Sequence, residues 1–256
     1  MTPALLWSFT RQELVDRYAG SMLGLSWVVM QPLAMLLIFM VIFAELMGAR
    51  LPGTSATHAY GTYLAAGVIP WMAFSNTLLR TTGVYVDKAP IIGKVRLSLP
   101  ALPLFIALSE SITFGLATSL LLLFLILFGS GIQQEILLLP WVLLVQQALA
   151  LGLGMILAAL HVFLRDIREF IALFLQLWFW LTPIVWVPSA LPGPTVDILR
   201  WVNPVLPLIE TWHAILAGHG EIPYPSLMGV AVLAFGILML GYWLVRRLEK
   251  DIRDFL

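Results

Sequence analysis

The stretch RYAGSMLGLSWVVMQP, Arg17 to Pro32, joins a charged N-terminal segment to a long apolar run. Before it stand Arg11, Glu13 and Asp16; after it comes a run of apolar residues that continues beyond Phe43. Such an abrupt change of polarity reads as the boundary between water and membrane. The composition agrees. The chain has 256 residues, of which 61% are hydrophobic and 11% charged. Ordinary soluble domains carry about 25% charged residues, and a soluble fold this apolar would lack the polar side chains to cover its surface. A membrane protein needs no such cover, because lipid is its solvent.

On the N-terminal side of the boundary, residues 1–22 are too polar to span. A helix from Trp7 onward would gather Trp7, Leu14, Val15 and Tyr18 on one face, with Gln12, Glu13, Asp16 and Arg17 opposite and Arg11 interrupting the stripe. This pattern suits an amphipathic helix lying along the membrane surface, or a solvated leader helix. A basic start and a small-residue cleavage site are missing from this segment, so the first apolar run reads as a retained span.

On the other side lie six apolar segments, near 26–47, 60–80, 101–128, 137–160, 170–187 and 226–245. Each approaches the roughly 20 residues needed to cross about 30 Å of hydrocarbon. The expected fold is an all-α membrane protein, one transmembrane domain over 1–256, with six transmembrane helices and an N-terminal interface helix. Pro183 lies inside the short fifth segment and favours a kink or a break. Residues 188–225 hold seven prolines and short apolar stretches such as Ile198–Val202 and Leu206–Leu216. Short re-entrant helices in this last external loop would account for them.

Charge orients the chain. Arg11, Arg17, Arg80, Lys88, Lys94, Arg96, Arg165, Arg168, Arg246, Arg247, Lys250 and Arg253 fall on one side, and only Arg50 and Arg200 on the other. By the positive-inside rule both termini are cytoplasmic, in a multi-pass plasma-membrane protein, the inner membrane of a bacterium.

Chemistry-bearing motifs are sparse. Gly93-Lys94 is followed by Val95, with no glycine five residues before Gly93, so no phosphate loop of the G-x-x-x-x-G-K-[ST] type is present. His58, His161, His213 and His219 are scattered, without metal-ligand spacing, and there is no cysteine. The net charge of zero offers no field for nucleic acid. Neither a catalytic nor a metal site is expected. Glu110, about ten residues into the third span, is the one clear intramembrane carboxylate. It reads either as a carrier carboxylate or as a group hydrogen-bonded inside the bundle. Trp178, Phe179 and Trp180 lie deeper than a headgroup belt and beside Pro183, and aromatic faces stack well on sugar rings.

Four motifs in order resemble one family. Arg17-Tyr18-Ala19-Gly20-Ser21-Met22-Leu23-Gly24 with Trp27 and Pro32 resembles the start of the first span in ABC-transporter permeases that export O-antigen, capsule or teichoic acid. Lys94-Val95 through Leu99-Pro100 resembles that family's segment before the third span. Phe163-Leu164-Arg165-Asp166-Ile167 resembles its turn before the fifth. Trp180-Leu181-Thr182-Pro183-Ile184, followed by Trp201-Val202-Asn203-Pro204, resembles its fifth-span and external-loop signature. Where the family often carries an arginine after the Asn-Pro, this chain has Trp212-His213, and no role is carried over.

The resemblance implies a homodimer of permeases with two copies of a separate nucleotide-binding ATPase subunit. The chain itself would be no enzyme and hold no cofactor; the partners would bind ATP and Mg. The substrate would be an undecaprenyl-linked glycan, in a tunnel lined by Trp27, Phe39, Phe43, Trp178, Phe179 and Trp180. The ATPase would dock near Arg11, Arg17, Tyr18, Lys88, Lys94, Arg96, Arg165, Asp166 and Arg168. Three other readings stay open: a permease for a drug or lipid, a proton-coupled carrier, and a membrane-embedded glycolipid enzyme.

Overall fold

The computed structural model describes residues 2–18, 26–38, 41, 59–94, 98–127 and 134–256. Phe39, Phe43, Glu45, Arg96 and the side chain of Tyr18 lie outside the described residues. Among the described residues the chain is helical, without strands. In order the helices are α1 (Pro3–Tyr18), α2 (Trp27–Ile38), α3 (Ala59–Asp87), α4 (Ala89–Ile92), α5 (Leu104–Leu127), α6 (Leu139–Phe163), α7 (Ile167–Leu181), α8 (Gly193–Val202), α9 (Leu206–Trp212) and α10 (Tyr224–Phe255).

Three described helical stretches are long and apolar enough to cross a membrane: Leu99–Leu127, Gln134–Phe163 and Tyr224–Phe255. They contain α5, α6 and α10. Helix α3 has 29 residues, about 44 Å of rise at 1.5 Å each, but is less apolar. Its position explains this. Helices α5, α6, α7 and α9 pack around it, and nearly every residue from Gly61 to Tyr85 is buried or half-buried. A helix shielded by protein can carry threonine, serine and asparagine that a lipid-facing helix cannot.

The densest packing joins α6 to α10 and α3 to α6. Glycines permit the first contact. A Cβ added at Gly152 would lie 2.6 Å from the Leu238 backbone nitrogen, and one at Gly241 would lie 2.7 Å from the Gly152 carbonyl oxygen. The two backbones touch because neither residue has a side chain there, as small residues allow between membrane helices.

Side-chain contacts define two ends. At the charged end, Arg168 Nη1 donates to Asp87 at 3.2 Å, Arg253 Nη1 to the Ile92 carbonyl at 3.3 Å, and Phe163 meets Phe255 edge to face. At the opposite end, Tyr60 donates to the Val185 carbonyl and Tyr63 to the Trp186 carbonyl. Helix α7 stops at Leu181, so Pro183 breaks the helix rather than kinking it. Of the prolines that follow, Pro188, Pro194 and Pro207 sit in the first turn of short helices, where the missing N–H is harmless.

Helix α1 packs on the bundle by a face the periodicity did not single out. Leu6 and Phe9 pack on it, Thr10 is buried, and Glu13 and Arg17 point the same way, toward ionic partners on α3 and α5. Trp7, at 59%, and Val15, of the expected apolar stripe, are exposed.

Candidate functional site

The charged end is built around Glu110 on α5, whose side chain is 1% exposed. Arg17 of α1 and Arg80 of α3 both donate to its Oε1. Arg80 also donates to Glu13 of α1, and Lys88 Nζ stands 3.4 Å from the other Glu13 oxygen. The cluster therefore ties three helices together. An uncompensated carboxylate at this depth would be costly, whereas one held by two guanidinium groups is stable in place.

The sequence singled out Glu110 but not its partners. Arg80 closes the second apolar run, 60–80, yet α3 continues to Asp87. Of the residues expected to dock a partner, Arg17 is turned into this cluster and Lys88 is held by Glu13. Arg168 is half-buried on Asp87. Arg11, Lys94, Arg165 and Asp166 are exposed at the surface of the same end.

Towards the opposite end lies an aromatic cluster. Trp178 of α7 meets Trp71 and Phe74 of α3 edge-on, at 6.2 Å and 5.5 Å between ring centres, and Phe174 at 5.3 Å. Trp178 Nε1 donates to Asn203 Oδ1 at 2.8 Å, and Asn203 Nδ2 donates to Thr182 Oγ1 at 2.9 Å. Asn203 thereby fastens the end of α7 to the turn between α8 and α9. Phe179 is half-buried against Trp71. Trp180 and Trp27 face outward, 61% and 41% exposed. The expected tunnel aromatics therefore divide: Trp178 and Phe179 belong to an internal cluster, while Trp180 and Trp27 lie on the surface of a single chain.

Residues 206–217 fill the bundle at this end. Trp212 is fully buried, and its Nε1 donates to Gln146 Oε1 at 2.8 Å; Gln146 Nε2 in turn donates to the Pro70 carbonyl at 3.0 Å. His213 stacks on Tyr63 with ring centres 3.7 Å apart, in a notch opened by Gly67, where an added Cβ would lie 2.6 Å from His213 Nε2. Burial, with nearby His219 adding to it, pushes the His213 imidazole down to about 3, so the ring is neutral. Gly218, at φ +60°, ends the turn. Arg200 donates to both Glu210 oxygens at 3.1 and 2.8 Å, and these bonds hold the guanidinium above its ordinary range. A cavity of about 220 Å³ opens here between Tyr63, Arg200, Glu210, His213 and His219. Gln146 was not picked out in the sequence. A glutamine in the middle of an apolar run was the available signal.

The geometry is that of a bundle with a charged end and an aromatic interior. Comparison with known proteins is consistent with it. The family model described as "ABC-2 type transporter" matches residues 4–217. An O-antigen export system permease protein of Myxococcus xanthus is 27% identical over 235 residues, covering 91% of this chain and 88% of the relative. Its namesake in Klebsiella pneumoniae is 24% identical over 253 residues, covering 98% and 95%. A polysialic acid transport protein of Escherichia coli is 25% identical over 247 residues, covering 93% and 91%.

Proposed function

The chain belongs to the ABC-2 type transporter family, and from that premise we propose that it is the permease subunit of an ATP-driven polysaccharide exporter. The carrying observation is the near full-length similarity to permeases named for O-antigen and polysialic acid export. It is a multi-pass membrane transport subunit rather than an enzyme, and ATP is hydrolysed by a partner.

The finer reading goes further. Two copies of the chain and two ATPase subunits form the exporter. The charged end faces the cytoplasm of a bacterium, because the order of the apolar segments in the sequence assigns twelve of the fourteen Lys and Arg to that side. Six spans result when α2 and α7 join α3, α5, α6 and α10, and α8 and α9 re-enter from the outer side. The ATPase docks on the exposed charges Arg11, Lys94, Arg165 and Asp166, and it binds the ATP and Mg. The cargo is a glycan on a lipid carrier such as undecaprenyl phosphate. It passes a path lined by aromatics of α2 and α7, of which Trp180 and Trp27 are already turned outward for a second copy to enclose.

Deletion of the gene, with surface and intracellular glycan measured, tests this reading. Polymer trapped inside the cell, and returned to the surface when the chain is restored, is the expected result. Absence of polymer from both places would instead mark an enzyme of glycan synthesis, and unchanged surface polymer would reject glycan export.

A further inference from the structure

We propose that the groove between α3 and α7 is a track that holds an uncharged sugar unit of the passing polymer; this rests on the exporter reading above. The groove has a volume of about 270 Å³. Trp71, Ser75 and Asn76 line it from α3, and Gln176 and Phe179 from α7. Ser75, Asn76 and Gln176 did not stand out in the sequence.

Three observations carry the assignment. The first is polarity in the wrong place for lipid. Helix α7 exposes Phe170, Leu173 and Leu177. Gln176 is exposed among them and makes no hydrogen bond to any described residue. Nine residues into α7, it stands about 13 Å from the charged end of that helix. An amide left unpaired in hydrocarbon costs on the order of several kcal/mol, so a polar occupant accounts for its position.

The second observation is the combination of groups. Ser75 Oγ donates to the Met72 carbonyl at 3.3 Å and keeps its lone pairs for an incoming hydroxyl. Gln176 offers a donor and an acceptor. The Trp71 and Phe179 rings meet at 64°, their centres 5.8 Å apart, and form an apolar wall. A few placed polar groups against aromatic rings match a sugar, which has hydroxyl edges and apolar faces. No charged side chain lines the groove, which favours an uncharged sugar over a phosphate.

The third is continuity. Residues 71, 75, 76 and 80 follow one flank of α3, so Asn76 stands about one helical turn from Arg80 of the charged cluster. Helix α2 packs on α5 and α3, leaving the α7 flank of α3 open among the described residues. The groove thus runs between the charged end and the aromatic cluster, along the direction export requires.

The test uses the full permease with its ATPase in cells that display the glycan. A photoreactive benzoylphenylalanine is placed at Leu79, which also lines the groove, and in parallel at Val232 on α10. The expected result is a glycan-bearing permease adduct from the first position and none from the second. An adduct with a second permease copy, an adduct with lipid alone, or no glycan adduct overturns the proposal. Independently, Gln176→Leu lowers export about three- to ten-fold, the worth of one hydrogen bond to a hydroxyl, at unchanged permease abundance and ATPase co-purification. Wild-type export by that variant also overturns it. Because the unmodified chain restores surface glycan in the same cells, these failures leave the exporter reading standing, while a strain it cannot restore rejects that reading instead.

Discussion

Glu110 accepts from two arginines, one on α1 and one on α3, while almost fully buried on α5. Removing its charge would leave both guanidinium groups without their shared anion. Breaking a buried ion pair from one side costs about 3–5 kcal/mol; the arginines are roughly a fifth exposed, so water offsets part of this. Glu110→Gln is therefore expected to lower the apparent melting temperature of the detergent-solubilised permease by roughly 5–10 °C. Glu169→Gln, at an exposed position, should leave it unchanged. The scan is a melting curve of each purified variant. At this scale the sequence was half legible. A lone carboxylate in an apolar run announces itself. Its partners do not, because they lie 93 and 30 residues away and one of them sits at the very end of an apolar segment.

The elements were legible where lipid dictates composition and obscure where protein shields them. Helices α5, α6 and α10 match the expected third, fourth and sixth spans because lipid-facing helices must be apolar throughout. Helix α3 extends seven residues past its apolar run, since its neighbours cover those threonines and Arg80. The bundle-facing side of helix α1 was not legible: periodicity ranks side chains by polarity and cannot see that a buried anion recruits Arg17. The α6–α10 contact was invisible, since a glycine in an apolar run gives no hint of what it faces. The contact makes a sharp prediction. Gly152→Leu should force α6 from α10 and cost about 3 kcal/mol or more through overpacking, seen as loss of folded permease in size-exclusion chromatography. Gly236→Leu, on α10 where an added Cβ meets open space, should elute like the parent chain.

For the whole molecule, the positive charges divide the surface into two chemically different ends. Much of the charge at the crowded end is used internally, by the Glu110 cluster and by the Arg168–Asp87 and Arg253–Glu249 pairs. Arg11, Lys94, Arg165 and Asp166 remain exposed, and of these Arg165 and Asp166 share the turn between α6 and α7. The double reversal Arg165→Glu with Asp166→Arg is expected to reduce ATPase co-purification about ten-fold without lowering the amount of permease in the membrane, rim charges of an interface being worth around 1 kcal/mol each. Quantitative blotting of the pulled-down ATPase against the permease decides it; undiminished recovery would remove this turn from the docking surface.

The buried seat of residues 206–217 has a consequence for biosynthesis. Gln146 and the Pro70 carbonyl belong to helices made early, and their partner Trp212 comes late in the chain. It follows that α3 and α6 enter the bilayer with an unfilled polar slot between them. The ribosome must add at least 66 more residues after Gln146 before that slot can close. The last third of the chain therefore completes the interior of the first two, and the bundle reaches its final packing only near the end of translation.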